Sequence, residues 1–160
     1  MFNIAIDGPS AAGKSTIADL IAKKYQLIKL DTGAMYRIVG YLVDKNNLDV
    51  EDEQAVLSVF DDMDLNVKAD GSMILNGKLV ADEIRNDKVS MLASTASKHL
   101  GVRERLVKLQ QDIASQQGYI LEGRDIGTVV LPDALVKIYL EADVDVRAKR
   151  RYDEYIAKGS

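Results

Sequence analysis

The chain contains no cysteine and no tryptophan, and it has one histidine and two prolines among 160 residues. Without cysteine there is no disulfide, no thiolate metal site and no cysteine nucleophile. The absence suits a reducing cytosol, although secreted chains can lack cysteine too. No apolar run comes near the roughly 18 residues of a membrane span. Met1-Phe2-Asn3-Ile4 has neither the basic region nor the long apolar stretch of a secretory leader. The cytoplasm is therefore the expected compartment, with no membrane partner. Positive charge is not in excess either: a net charge of −4 argues against a general nucleic-acid surface. Repeats and low-complexity tracts are absent. What remains is 47% apolar and 29% charged, an ordinary globular composition. The length suits one α/β domain with a small insertion, able to bury a core without cross-links.

Periodicity then orders the elements. Phe2 to Asp7 is a short apolar run closed by Gly8-Pro9, which reads as a buried strand. Gly13 to Tyr25 carries Ile17, Ala18, Leu20, Ile21 and Ala22 at helical spacing. Leu27 to Leu30 is a second strand, and Ala34 to Asp44 a second helix. This alternation predicts an α/β fold of three layers, a parallel sheet covered by helices. Glu51 to Met63 reads as an amphipathic helix. From Leu65 to Val80 the period changes to two, interrupted by Asp70-Gly71 and Asn76-Gly77, the dipeptides of tight hairpins. An inserted antiparallel meander is expected there. Val89 to Leu100 and Arg103 to Gln117 read as helices separated by Gly101, with Gly118 ending the second. Tyr119 to Leu121 is a third parallel strand running into a turn at Glu122 to Asp125. Val136 to Leu140 is a fourth strand, and Val144 to Ala157 a basic helix.

The most specific segment is Gly8-Pro9-Ser10-Ala11-Ala12-Gly13-Lys14-Ser15, which matches G-x-x-x-x-G-K-[ST]. Backbone N–H groups can wrap a phosphate only where glycine permits unusual φ or removes a colliding side chain. The helix that follows aims its positive end at the anion. Lys14 would neutralise the β and γ phosphates, and the Ser15 hydroxyl would coordinate Mg²⁺. A chance glycine-rich turn is the competing reading. Its weakness is context, since the motif follows an apolar strand and opens a helix, the setting a phosphate loop requires.

Two features favour a small-molecule kinase over a signalling GTPase. No Asn-Lys-x-Asp guanine-reading motif is present. Arginines recur instead in loops and at helix ends: Arg37, Arg103, Arg124, Arg147, Arg150 and Arg151. Phosphoryl transfer needs positive charge on donor and acceptor phosphates alike, and guanidinium groups grip phosphate oxygens in pairs.

Three segments carry a resemblance to a known family. Gly8 to Thr16, Asp31-Thr32-Gly33-Ala34-Met35-Tyr36-Arg37 and Glu122-Gly123-Arg124-Asp125-Ile126-Gly127-Thr128 resemble the signatures of bacterial cytidylate kinases. Ser94 and Val102-Arg103-Glu104 match in type and spacing, and the resemblance covers essentially all of the chain in order. It implies transfer of the ATP γ-phosphate to CMP or dCMP with Mg²⁺. It also implies a core at 1–31 and 119–146, a monophosphate-binding region at 32–118 and a lid beginning at 147–160. Gly8, Pro9, Ser10, Ala11, Ala12, Gly13, Lys14, Ser15 and Thr16 would bind ATP. Thr32, Tyr36 and Arg37 would line the acceptor site, with Arg37 and Arg124 on the acceptor phosphate. Ser94, Arg103 and Asp125 would face the cytidine. Lys14, Arg124, Arg147 and Arg151 would serve catalysis, with Arg150 beside them. Glu122 departs from the family, many members of which carry Asp there. Family members also continue further, so a piece of a longer chain, monomeric at full length, is expected.

Each site residue has a plainer explanation. Arg37 could be a helix-surface arginine, Tyr36 a core aromatic and Ser94 a small residue for close helix contact. Arg103 could pair with Glu104, and Arg124 with Asp125. The basic run at 147–151 could be a solvated face, and His99 incidental. Two other functions stay open: another P-loop kinase with a different acceptor, or a nucleotide-binding but inactive fragment.

Overall fold

In a computed structural model of the chain, residues 2–9, 12–141 and Asp153 are described. The chain forms two compact units: Met1–Lys29 with Gln117–Ser160, and Leu30–Gln116.

The first unit is built on a sheet. Strands β1 (Ile4–Asp7), β2 (Ile28–Leu30), β6 (Tyr119–Gly123) and β7 (Val136–Tyr139) lie in the order β2-β6-β1-β7. β1 runs parallel to both neighbours, with Ile6 opposite Glu122 on one side and Ile138 on the other. Helix α1 (Lys14–Tyr25) follows β1. Ile4, Ile6, Ala18, Leu27 and Ile120 form the core, with Ile17, Ile21 and Ile138 packed against it. Of the apolar spacing read from the sequence, Ile17, Ala18, Ile21 and Ala22 face the strands, whereas Leu20 is exposed. Buried Asn3 accepts the Tyr119 N–H at 3.0 Å and fixes where β6 begins.

The second unit centres on α2 (Thr32–Lys45), whose Met35, Ile38, Val39 and Val43 are fully buried. It includes α3 (Glu53–Leu57), α4 (Asp87–Ala96), α5 (Leu100–Ala114) and the strands β3 (Leu65–Val67), β4 (Met73–Leu75) and β5 (Lys78–Val80). α4 lies so close along α2 that a Cβ on Gly40 would sit 2.7 Å from the Val89 carbonyl oxygen and 2.8 Å from the Ala93 nitrogen. The three short strands form the expected antiparallel meander. Asn76 and Gly77 have φ of 50° and 83°, so Leu75 pairs with Lys78 across a two-residue turn with both positions left-handed. The turn at Asp70-Gly71 is longer, closed by Lys68 N–H donating to the Ser72 carbonyl at 2.8 Å.

Several boundaries differ from the sequence reading. The helix expected over 51–63 is α3 alone, followed by a 3₁₀ turn at Ser58–Phe60. Asp52 caps it by accepting the Gln54 and Ala55 N–H groups, and Ser58 Oγ then bonds back to the Ala55 carbonyl. Gly101 does not separate two helices; it is the second residue of α5. The break lies at Ser97–His99, where Ser97 Oγ donates to the Ser94 carbonyl. Gly101 serves packing instead, since a Cβ there would stand 3.3 Å from Glu53 and 3.4 Å from Leu57. His99 is not incidental: Nε2 bonds the Val50 carbonyl at 2.8 Å, and Nδ1 lies 3.8 Å from Glu53. It ties the start of α5 to the segment that leads into α3. β6 extends two residues further than expected, through Glu122 and Gly123. The π turn at Ile126–Val130 had no sequence signal. The basic helix expected at Val144 to Ala157, and with it the lid, lies outside the described residues except for Asp153.

Candidate functional site

β1 delivers the chain to Gly8, whose φ of +150° only glycine adopts easily and where a Cβ would collide with the Leu140 carbonyl oxygen. Gly13, at φ 94°, caps α1 and makes no side-chain hydrogen bond to the first N–H groups of the helix. Those groups and the positive end of the helix dipole are of the kind that favours an anion. Lys14 folds back over the loop, donating to the carbonyls of Gly8 at 2.7 Å and Pro9 at 3.1 Å. Burial lowers the proton affinity of its ammonium, opposed by Glu122 and Asp7 and reinforced by Arg124. An incoming phosphate would replace weak carbonyl partners with a full counter-charge. Ser15 and Thr16 are exposed on the first turn of α1, and Ser10 and Ala11 lie outside the described residues.

The carboxyl end of β6 lies beside this loop, with Asp7 in register with Gly123. Ligands in open parallel sheets gather at such strand ends. Arg124 and Asp125 follow at once and are both exposed. No ion pair joins them among the described residues; the backbone carbonyl of Asp125 instead accepts the Val129 N–H at 2.9 Å. Their turn is held from β1. The Asp7 carboxylate accepts the Ile126 N–H at 2.7 Å and the Gly127 N–H at 2.8 Å. Gly127 permits this approach, because a Cβ would stand 3.2 Å from Asp7.

In the second unit, Thr32, Tyr36 and Arg37 occupy the first two turns of α2. Asp31 caps that helix, accepting the Ala34 N–H at 2.9 Å, and its other carboxylate oxygen lies 3.6 Å from Arg37. The guanidinium lies back over the helix start, where a Cβ on Gly33 would be 3.2 Å from it. Ser94 is exposed on α4, the helix packed along α2, and Arg103 is exposed on the first turns of α5. Neither residue is buried. Arg103 has no ion pair with Glu104 among the described residues. Arg147, Arg150 and Arg151 lie outside the described residues.

Sequence reading missed two residues. Asp7 is the lone charge ending an apolar strand, and Lys29 the lone charge in Leu27 to Leu30. An isolated charge in a buried strand was the available signal for both. Lys29 Nζ donates to Ser15 Oγ at 2.7 Å and pairs with Asp19 at 3.0 Å. The oxygen donors here, Ser15 and Glu122, are hard ligands suited to Mg²⁺. No cluster of three or more His, Cys, Asp or Glu side chains that could hold a metal occurs among the described residues. That donor set fits an ion bound mainly through nucleotide phosphates rather than in a protein cage. No helix among the described residues is long and apolar enough to cross a membrane.

The family profile described as cytidylate kinase matches residues 4–160. A cytidylate kinase of Caldicellulosiruptor saccharolyticus is 52% identical over 160 residues, covering 98% of this chain and 71% of the relative. Those of Bacillus velezensis and Bacillus subtilis are 49% and 48% identical, with the same shares covered.

Proposed function

Because this chain belongs to the cytidylate kinase family, we propose that it is a nucleoside monophosphate kinase transferring the ATP γ-phosphate to CMP or dCMP. The observation that carries the site reading is the loop between β1 and α1. There a left-handed glycine leaves the start of α1 without a side-chain cap, and the partly buried Lys14 rests on two carbonyls.

An oxygen of the acceptor phosphate attacks the γ-phosphorus, the bond to the β–γ bridging oxygen breaks, and ADP and CDP or dCDP result. The attacking oxygen is already ionised, so no general base is required and catalysis rests on positioning and charge. Gly8, Pro9, Ala12, Gly13, Ser15 and Thr16, with Ser10 and Ala11, cradle the ATP phosphates, and Lys14 neutralises charge on the β and γ groups. Mg²⁺, held through ATP by the Ser15 hydroxyl and by Glu122 through water, would offset the remaining phosphate charge. Arg124 and Arg37 grip the acceptor phosphate, and each guanidinium can bond two oxygens. Thr32 and Tyr36 line that site. Cytosine presents an amino donor and two acceptors, which the carboxylate of Asp125 and the donors of Ser94 and Arg103 complement. Arg147 and Arg151, in the lid, bring further charge to the transferring group. Residues 32–118 serve as the monophosphate-binding region on this reading.

A coupled assay of ADP release with CMP, dCMP, UMP, AMP and shikimate tests the proposal. Turnover with CMP and dCMP well above the rest is expected. Equal turnover of another acceptor overturns the cytidine preference, and ATP binding without transfer to any acceptor overturns the kinase assignment.

A further inference from the structure

Lys29 reaches from β2 to α1. Its ammonium lies 2.7 Å from Ser15 Oγ, 3.5 Å from the Ser15 carbonyl and 3.0 Å from Asp19 Oδ1. An ammonium only donates, so the serine oxygen accepts, and one of its two lone pairs is engaged. That oxygen is the one assigned above to the cation that accompanies ATP. A divalent ion bound to it would stand within a few ångströms of the lysine charge. Like charges at that range repel appreciably even when water screens them. The ammonium has somewhere else to go, because Asp19 is one turn further along α1. Its carboxylate is 66% exposed, which makes it a weak competitor for the lysine.

We propose that Lys29 competes with the divalent cation for the Ser15 hydroxyl, and so limits how far Mg²⁺ strengthens ATP binding. Asp19 modulates the competition by drawing the ammonium away from Ser15. The proposal rests on the reading of Gly8 to Thr16 as the ATP phosphate loop. A purely structural Lys29–Asp19 pair joining β2 to α1 would alter thermal stability and leave the metal dependence alone.

The test is equilibrium binding of ATP to the full chain, once with saturating Mg²⁺ and once with EDTA. The ratio of the two affinities is the metal gain. Lys29→Met is expected to raise that gain about three- to tenfold, the size of a partly screened charge repulsion. Asp19→Asn, which leaves the ammonium to Ser15, is expected to lower it. Lys29→Arg, which keeps the charge, should stay near the parent. An unchanged gain in Lys29→Met, or a change of the same sign in both variants, overturns the competition. If Lys29→Met does not fold, Asp19→Asn decides, and a gain equal to or above the parent's overturns the proposal. Failure of the parent chain to bind ATP at all overturns the phosphate-loop reading itself.

Discussion

At Lys14, burial works against the ammonium charge, with Arg124 on the same side and Glu122 and Asp7 opposing. Its proton affinity in the fold is therefore below the ordinary value of 10.5. Between the two values the unfolded chain binds more protons, so through this group stability rises with pH across that window. ATP binding needs the charge and falls over the same window. Titration of ATP affinity from neutrality upwards should show the decline beginning below 10.5, and a decline confined to higher pH would contradict the lowered value. Lys14→Ala should reduce turnover by about a hundredfold or more, as loss of one preorganised donor does, with an unchanged far-UV spectrum. Asp7 acts at one remove. Asparagine offers one oxygen where two backbone N–H groups now find two. Asp7→Asn should therefore cost about 1–3 kcal/mol in urea unfolding. Through the turn carrying Arg124 it should also raise the KM for CMP more than that for ATP.

Elements are joined in this chain by close backbone approach as much as by apolar side chains. α2 and α4 touch through Gly40, where the obstructing atoms are backbone and cannot swing aside. Gly40→Ala should destabilise by about 1–3 kcal/mol through overpacking. Gly77 is the contrast. It has a φ of +83° and open space around it, so an added methyl meets nothing. Gly77→Ala should cost only the left-handed strain, about 1–2 kcal/mol, without disturbing the helices. Urea midpoints for the two variants, with near-ultraviolet spectra to report repacking, separate the mechanisms. The Asn76-Gly77 turn was legible in the sequence because its requirement is local. The role of Gly101 was not, because its reason is α3, about fifty residues earlier.

For the whole molecule, the two units hold different parts of the proposed chemistry. Lys14 belongs to the first and Arg37 to the second. Arg37→Ala should raise the KM for CMP about tenfold or more, the loss of a charge-assisted phosphate contact, with ATP affinity little changed. Lys14→Ala should do the opposite for binding. Isothermal titration with each nucleotide separately would distinguish the two, and equal loss of both ligands in Arg37→Ala would contradict the division.

Adjacent residues are enough to specify the phosphate loop, the alternation of strands and helices, and the meander with its Asn76-Gly77 hairpin. Their constraints act through φ, hydrogen bonds and apolar spacing over a few positions. The Asp7 clamp joins residues 119 and 120 positions apart, and Lys29 meets Ser15 across the gap between β2 and α1. Such pairings exist only once the sheet has taken its order and register, which no short stretch of the chain specifies.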